Sequence, residues 1–257
     1  MKLFCQQQGN TKGPVLIMAH GVFGSHENLG AIARLLADDF YLYRLDLRNH
    51  GRSPHTDTMT FAEMAADVLE FIDDHKLDKV AVLGHSLSGK VMMELATTHP
   101  DRVNHLIVAD IAPVQYPAHH DPILAGLQAI DLAQLKSRND ADQQLQAYVD
   151  NLTTRQFLLK NLQRSEDGEY TWRLNIKAIA DQYDNLRLTV GDGKIYAGPT
   201  LFIRGALSKY IQERNHPAIY QQFPKATIKT IDGASHWLHA EKPQQFVELV
   251  KRFILEK

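Results

Sequence analysis

The strongest constraint on this chain is an alternation of two hydrophobic periods. Short apolar runs rich in β-branched residues, at positions 15–19, 41–46, 80–83, 106–110, 200–204 and 226–231, are separated by stretches at 29–38, 61–75, 87–99, 211–223 and 243–255 whose apolar residues recur every three or four positions. A short run without polar alternation suits a strand covered on both faces, and the longer periodic stretches suit amphipathic helices. Taken in turn, they predict an α/β fold with an open, mostly parallel, doubly wound sheet of about seven strands. The helix over 61–75 has its own start signal, because Thr60 followed by Glu63 forms a capping box ahead of the stripe Met64, Val68, Leu69 and Ile72. A segment at 3–7, turning at Gly9 and Asn10, predicts an antiparallel edge strand.

The alternation stops between Pro113 and Pro199, where the text is Gln-rich and apolar at helical spacing, as in Leu145, Tyr148, Val149 and Leu152, then Phe157, Leu158, Leu159 and Leu162. No strong strand appears there, and the stretch reads as mostly helical. The organisation is therefore a first core segment at 1–112, a helical cap inserted at 113–198, and a second core segment at 199–257.

Val80-Ala81-Val82-Leu83-Gly84-His85-Ser86-Leu87-Ser88-Gly89-Lys90 passes from a strand through small residues into a helix. That is the setting of a nucleophile elbow, a tight turn that lifts one serine hydroxyl above the sheet. Ser86 occupies the nucleophile position, although Ser88 stands where a second glycine is usual. A plain helix N-cap at Ser86 uses the same letters. So does a phosphate-binding loop read from Gly84 to Gly89-Lys90, but Val91 stands where that loop needs a hydroxyl for magnesium.

A serine needs a base, and a histidine serves near neutral pH. Of thirteen histidines, His236 follows the last strand in the small-residue loop Asp232-Gly233-Ala234-Ser235, at the edge where such sheets bind ligands. His239, three residues on, could compete but is expected to belong to the approach to the final helix, as a loop histidine bonded to backbone. His119 and His120 are adjacent and are not expected to face one point, and no metal-binding spacing is present, so no metal site is expected. Asp110, at the end of its strand, is the carboxylate that would fix the imidazole tautomer, unless it only forms the turn. The order Ser86, Asp110, His236 is that of α/β hydrolases. Oxyanion donors are expected from the Leu87 N–H and, in the turn His20-Gly21-Val22-Phe23-Gly24-Ser25, from Val22 or alternatively Phe23.

Composition narrows the partners. Lys and Arg number 28 against 30 for Asp and Glu, a net charge of −2 that gives no drive toward nucleic acid. No run approaches a membrane span, so no membrane insertion is expected. Cys5 is alone, and the polar turn after Met1-Lys2-Leu3-Phe4 lacks a signal-like core, which together predict a cytoplasmic protein. Nothing in the sequence sets an oligomeric state.

These residues resemble the α/β-hydrolase superfamily, and within it the bacterial YbfF-type esterases. The resemblance rests on His20-Gly21-Val22-Phe23-Gly24-Ser25, Asp46-Leu47-Arg48-Asn49-His50-Gly51-Arg52-Ser53, Gly84-His85-Ser86-Leu87, Asp110-Ile111-Ala112-Pro113-Val114, Gln156-Phe157-Leu158-Leu159-Lys160 and the stretch from Gly233 to Pro243. It implies a carboxylesterase or acyl thioesterase with a helical cap, no cofactor, and a small-molecule ester or acyl thioester as substrate. Many members of the superfamily carry the acid after the strand at 200–204; here Leu207-Ser208-Lys209-Tyr210 holds no carboxylate, which directs the role to Asp110. Phe23, Phe157, Leu158, Trp172 and Trp237 are the expected substrate contacts. Other readings on the same residues are a C–C bond hydrolase, a cofactor-free haloperoxidase, or a ligand-binding receptor without turnover.

Overall fold

The computed structural model describes residues 1–256; the last residue of the second core segment, Lys257, lies outside them. Nine strands are present among the described residues: β1 Cys5–Gly9, β2 Val15–Ala19, β3 Tyr41–Leu45, β4 Val80–His85, β5 Val103–Ala109, β6 Leu162–Arg164, β7 Tyr170–Trp172, β8 Thr200–Gly205 and β9 Ala226–Ile231. Seven of them form one sheet in the order β1-β3-β2-β4-β5-β8-β9. All neighbours are parallel except β1, which pairs antiparallel with β3. The edge strand is thus where the sequence places it, shifted toward Gly9.

The helices are α1 Gly30–Leu36, α2 Phe61–Asp74, α3 Leu87–Thr98, α4 Asp121–Ala129, α5 Arg138–Gln146, α6 Leu152–Leu159, α7 Ile176–Asp181, α8 Tyr183–Arg187, α9 His216–Gln222, α10 Leu238–Glu241 and α11 Pro243–Leu255. The Thr60–Glu63 capping box opens α2 in both directions, with Thr60 Oγ1 accepting from Glu63 N–H and the Glu63 carboxylate accepting from Thr60 N–H at 2.9 Å. The periodic stretch at 211–223 is helical only from residue 216, after a single tight turn at Glu213–Asn215, because Pro217 belongs in the first turn of a helix.

Side chains alternate across the sheet, so each strand feeds two cores. Leu16 and Met18 of β2 pack with Ile32, Leu36, Phe246 and Val250 from α1 and α11. Ile17 and Ala19 face the other way, toward Met64 and Val68 of α2 and Val91 of α3. The continuous apolar runs are what this two-sided burial requires.

Between β5 and β8 lie α4 to α8 and one element that the sequence reading missed. The β6–β7 hairpin pairs Leu162 with Trp172, Gln163 with Thr171 and Arg164 with Tyr170. The insertion is therefore not purely helical. Strands of three residues are too short to show a period, and Leu162 looks like the last residue of a helical stripe. Lys90 of α3 ties this insertion to the core. Its buried Nζ donates to the carbonyls of Val114 at 2.8 Å, Arg187 at 3.3 Å and Leu188, thereby gripping both ends of the excursion. Burial pulls that ammonium down to about 7.

Candidate active site

The carboxyl ends of adjacent parallel strands bring the loops of this site together. Ser86, directly after β4, has φ 55° and ψ −119° and makes no capping hydrogen bond with its side chain. The N-cap reading of Ser86 fails on that ground. A non-glycine residue held in this region costs on the order of 1–3 kcal/mol and persists where the surroundings impose it. Here Ser86 N–H donates to Ala109 O at 2.9 Å and Ser86 O accepts from Gly89 N–H at 2.8 Å. A Cβ at Gly84 would stand 2.3 Å from Ser88 O, so the turn cannot close on a larger residue. The departure at Ser88 has a structural reason. Its buried hydroxyl donates to Ala19 O at 2.7 Å, tying the end of β2 to the elbow, while the bare position that accommodates Ile111 is Gly89.

Asp110, fully buried and also at positive φ (55°), follows β5. Its carboxylate accepts from Gly205 N–H at 3.2 Å, from the Ser208 hydroxyl, and from His236 Nδ1 at 2.7 Å. A carboxylate can only accept, so the imidazole proton sits on Nδ1 and Nε2 is left as an acceptor. That Nε2 stands 3.0 Å from Ser86 Oγ. Ser86, His236 and Asp110 thus form one hydrogen-bonded chain.

The loop after β9 holds His236 from several sides. The Tyr210 ring stacks on the imidazole at 4.1 Å, and His85 Nε2–H donates to His236 O at 2.8 Å. Burial, with His239 and His236 nearby, keeps His85 well below the usual histidine range, as suits a neutral donor. Glu241 secures the other end of the loop by accepting from Ser235 N–H at 2.7 Å. His239 departs from expectation. It lies in α10, buried against the His85 ring at 4.4 Å, and its Nδ1 has no partner among the described residues.

The turn after β2 carries Val22 and Phe23. Phe23 has φ 62°, and its N–H donates to His50 Nε2 at 3.3 Å while its carbonyl accepts from Asn161 Nδ2 at 2.7 Å. His50 accepts there because its Nδ1–H is donated to Arg48 O at 2.9 Å; burial, then the neighbouring His20, lowers its pKa to about 3. Val22 N–H has no protein acceptor among the described residues. Leu87, the first residue of α3, presents one of the first-turn amides that a helix leaves unpaired.

Asp46 braces this turn. One carboxylate oxygen accepts from His26 N–H at 2.6 Å and the other from Arg52 N–H at 2.9 Å. Burial alone would raise its pKa, but the His26 hydrogen bonds, the nearby His20 and the Arg52 amide outweigh it and hold it at about 2.

Two small cavities meet at Ser86. One, about 40 Å³, is bounded by Leu87, Lys90, Tyr116, Tyr183 and Tyr210 among others. The second, about 60 Å³, is bounded by Phe23, Ile123, Phe157, Leu158, His236 and Trp237. Of the expected contacts, Phe23, Phe157, Leu158 and Trp237 therefore stand beside Ser86, and Trp172 does not. Trp172 belongs to β7 and packs against the core of the insertion, a placement that follows from the unforeseen hairpin. His119 and His120 also depart from expectation. The irregular backbone ahead of α4 lets both line the first cavity, with rings 4.1 Å apart. Ser208, Tyr210, His50, Asn161 and Tyr183 were not singled out in the sequence. They come from irregular segments or, for Tyr183, from the five-residue helix α8, where no periodicity marks them.

Comparison with known proteins places this geometry. A family profile described as alpha/beta hydrolase fold matches residues 14–243. Esterase YbfF of Escherichia coli is 38% identical over 252 residues, covering 97% of this chain and 95% of that protein. The sn-1-specific diacylglycerol lipase ABHD11 of Mus musculus is 34% identical over 254 residues, covering 96% of this chain and 82% of the mouse protein. A solved structure of a marine microorganism esterase superposes with a TM-score of 0.95 at 42% identity, covering 98% of this chain and 99% of that one.

Proposed function

The chain belongs to the α/β-hydrolase family, and from that premise we propose that it cleaves carboxylic esters or acyl thioesters through an acyl-enzyme on Ser86. The carrying observation is the chain from Ser86 Oγ to His236 Nε2 at 3.0 Å and from His236 Nδ1 to Asp110 at 2.7 Å. Ser86 Oγ attacks the acyl carbon while His236 Nε2 takes its proton, and the Asp110 carboxylate stabilises the imidazolium that forms. Negative charge developing on the carbonyl oxygen is met by the N–H groups of Leu87 and Val22. Val22 is preferred to Phe23 because the Phe23 amide is already given to His50. His236 returns the proton to the departing alcohol or thiol, and a water activated by the same imidazole releases the acid. The insertion, acting as a cap over Ser86, bounds the acyl group with Phe157 and Leu158.

The esterase and lipase names of the relatives support ester chemistry. A panel of aryl esters and acyl thioesters tests it: the protein turns over members of the panel, and Ser86→Ala lowers kcat on the order of 10⁴-fold or more with the fold retained. Binding without turnover across the panel would favour a receptor on this scaffold instead.

A further inference from the structure

We propose that His120 contacts the substrate, donating from its Nε2–H to an oxygen of the bound ester where the two cavities meet, and that Tyr183 positions it by fixing the tautomer of its ring. This rests on the ester-cleaving reading of the site and adds a polar contact to it.

The tautomer follows from counting hydrogens around one oxygen. Tyr183 Oη accepts from the backbone N–H of His119 at 3.2 Å and from that of His120 at 3.0 Å. Both of its acceptor positions are then filled. Its own proton goes to the remaining neighbour, His120 Nδ1, at 3.0 Å. Nδ1 is therefore an acceptor, and a neutral imidazole carries its single proton on Nε2. Burial, with the adjacent His119 and His236, holds His120 neutral, its pKa lowered to about 3.

Position comes from the cavities. Val22, Ser86 and His120 are the three residues that border both of those meeting at Ser86. The His120 ring stands edge-on to Phe23 at 5.7 Å, beside the turn that carries the Val22 amide. Nε2 makes no hydrogen bond to protein among the described residues and is not among the enclosed polar atoms left without a partner, so it reaches open space. A neutral N–H at the reacting centre, with its partner site left open, is a donor prepared for a substrate oxygen.

The test uses p-nitrophenyl esters, with nitrogen NMR of the imidazoles as a second readout. His120→Phe, which keeps a ring and removes the donor, is expected to lower kcat/KM by about tenfold to a hundredfold, the range of one buried hydrogen bond. His120→Gln, which can present an N–H near the Nε2 position, is expected to recover most of that loss. Tyr183→Phe should cost about tenfold alone and nothing further on the His120→Phe background, because both act through one bond. NMR should show the Nε2–H tautomer in the unaltered protein and a shift toward Nδ1–H in Tyr183→Phe, which holds whether or not His120→Phe folds. A kcat/KM for His120→Phe within twofold of the parent, multiplying losses in the double variant, or an Nδ1–H tautomer in the unaltered protein would each overturn the proposal. Absence of any ester turnover by the unaltered protein would instead bring down the ester reading itself, and the role of His120 with it.

Discussion

Replacing Asp110 by asparagine changes one atom of the proposed triad and keeps its volume. The carboxylate takes three donors in a fully buried site: Gly205 N–H at 3.2 Å, the Ser208 hydroxyl and His236 Nδ1 at 2.7 Å. An asparagine oxygen at the Oδ1 position still accepts from Gly205 N–H, which leaves its NH₂ at the Oδ2 position, facing His236 and the Ser208 oxygen. Nδ1 must then be the acceptor, and the imidazole proton moves to Nε2, where it meets Ser86 Oγ as a donor and no longer as a base. A wrong tautomer in an intact triad costs about 10⁴-fold in kcat, close to 5.5 kcal/mol of transition-state stabilisation. KM should change little, because Asp110 borders neither cavity at Ser86. Ser208 offers an internal check, since its hydroxyl already touches the Asp110 carboxylate from the loop after β8. Adding Ser208→Asp to Asp110→Asn restores a carboxylate within reach of His236 and should recover about tenfold or more in kcat. Asp192, exposed in the tight turn Gly191–Gly193, is the control and its change to Asn should be silent. The assay is steady-state hydrolysis of a p-nitrophenyl ester, with a thermal melt of each variant. Retention of kcat within tenfold by Asp110→Asn, or a loss confined to Asp192→Asn, would refute the reasoning.

Acid stability should depend on Asp46, whose carboxyl falls from 3.8 to about 2 in the fold. A depressed carboxyl contributes stability that is present above its unfolded pKa and lost as pH falls through its folded one, so roughly 2 kcal/mol should disappear between about pH 4 and pH 2. Urea unfolding at pH 5 and pH 2.5 should show this drop in the parent and a smaller one in Asp46→Asn; equal drops would sink the assignment. The second cavity, about 60 Å³, has room for roughly four to six water-sized groups. Each methylene it buries should raise kcat/KM about fourfold, so a p-nitrophenyl series should climb and then fall at one length. Phe157→Ala or Leu158→Ala should move that maximum to longer chains, whereas Trp172→Ala should leave it in place. A maximum unmoved by both cap variants would assign the acyl pocket to the sheet-edge loops alone.

Much of the fold was legible because buried parallel strands cannot hide. Leu16 to Ala19 or Leu106 to Ala109 must be apolar at every position when helices cover both faces. The proposed triad was legible for a related reason: Ser86, Asp110 and His236 each sit where a strand ends, and strand ends in such a sheet share one edge. The hairpin escaped because Leu162–Arg164 and Tyr170–Trp172 are too short to show alternation, and Trp172 was misplaced with it. Ser208, Tyr210 and Tyr183 escaped for another reason. Their roles are set by a few hydrogen bonds or one stacked ring between segments far apart in sequence, and such contacts leave no pattern in the letters. His119 and His120 show the same limit, since the rule that neighbours diverge holds for regular backbone and theirs is irregular.

The most direct test of the central claim is the site of covalent reaction with a fluorophosphonate, read by peptide mass spectrometry. Ser86 Oγ lies 3.0 Å from His236 Nε2, whereas the Ser88 hydroxyl is buried and committed to Ala19 O at 2.7 Å. The account predicts one adduct, on Ser86, that is abolished by Ser86→Ala and much slowed by Asp110→Asn. An adduct on Ser88 or any other serine, with Ser86 unmodified, would contradict it.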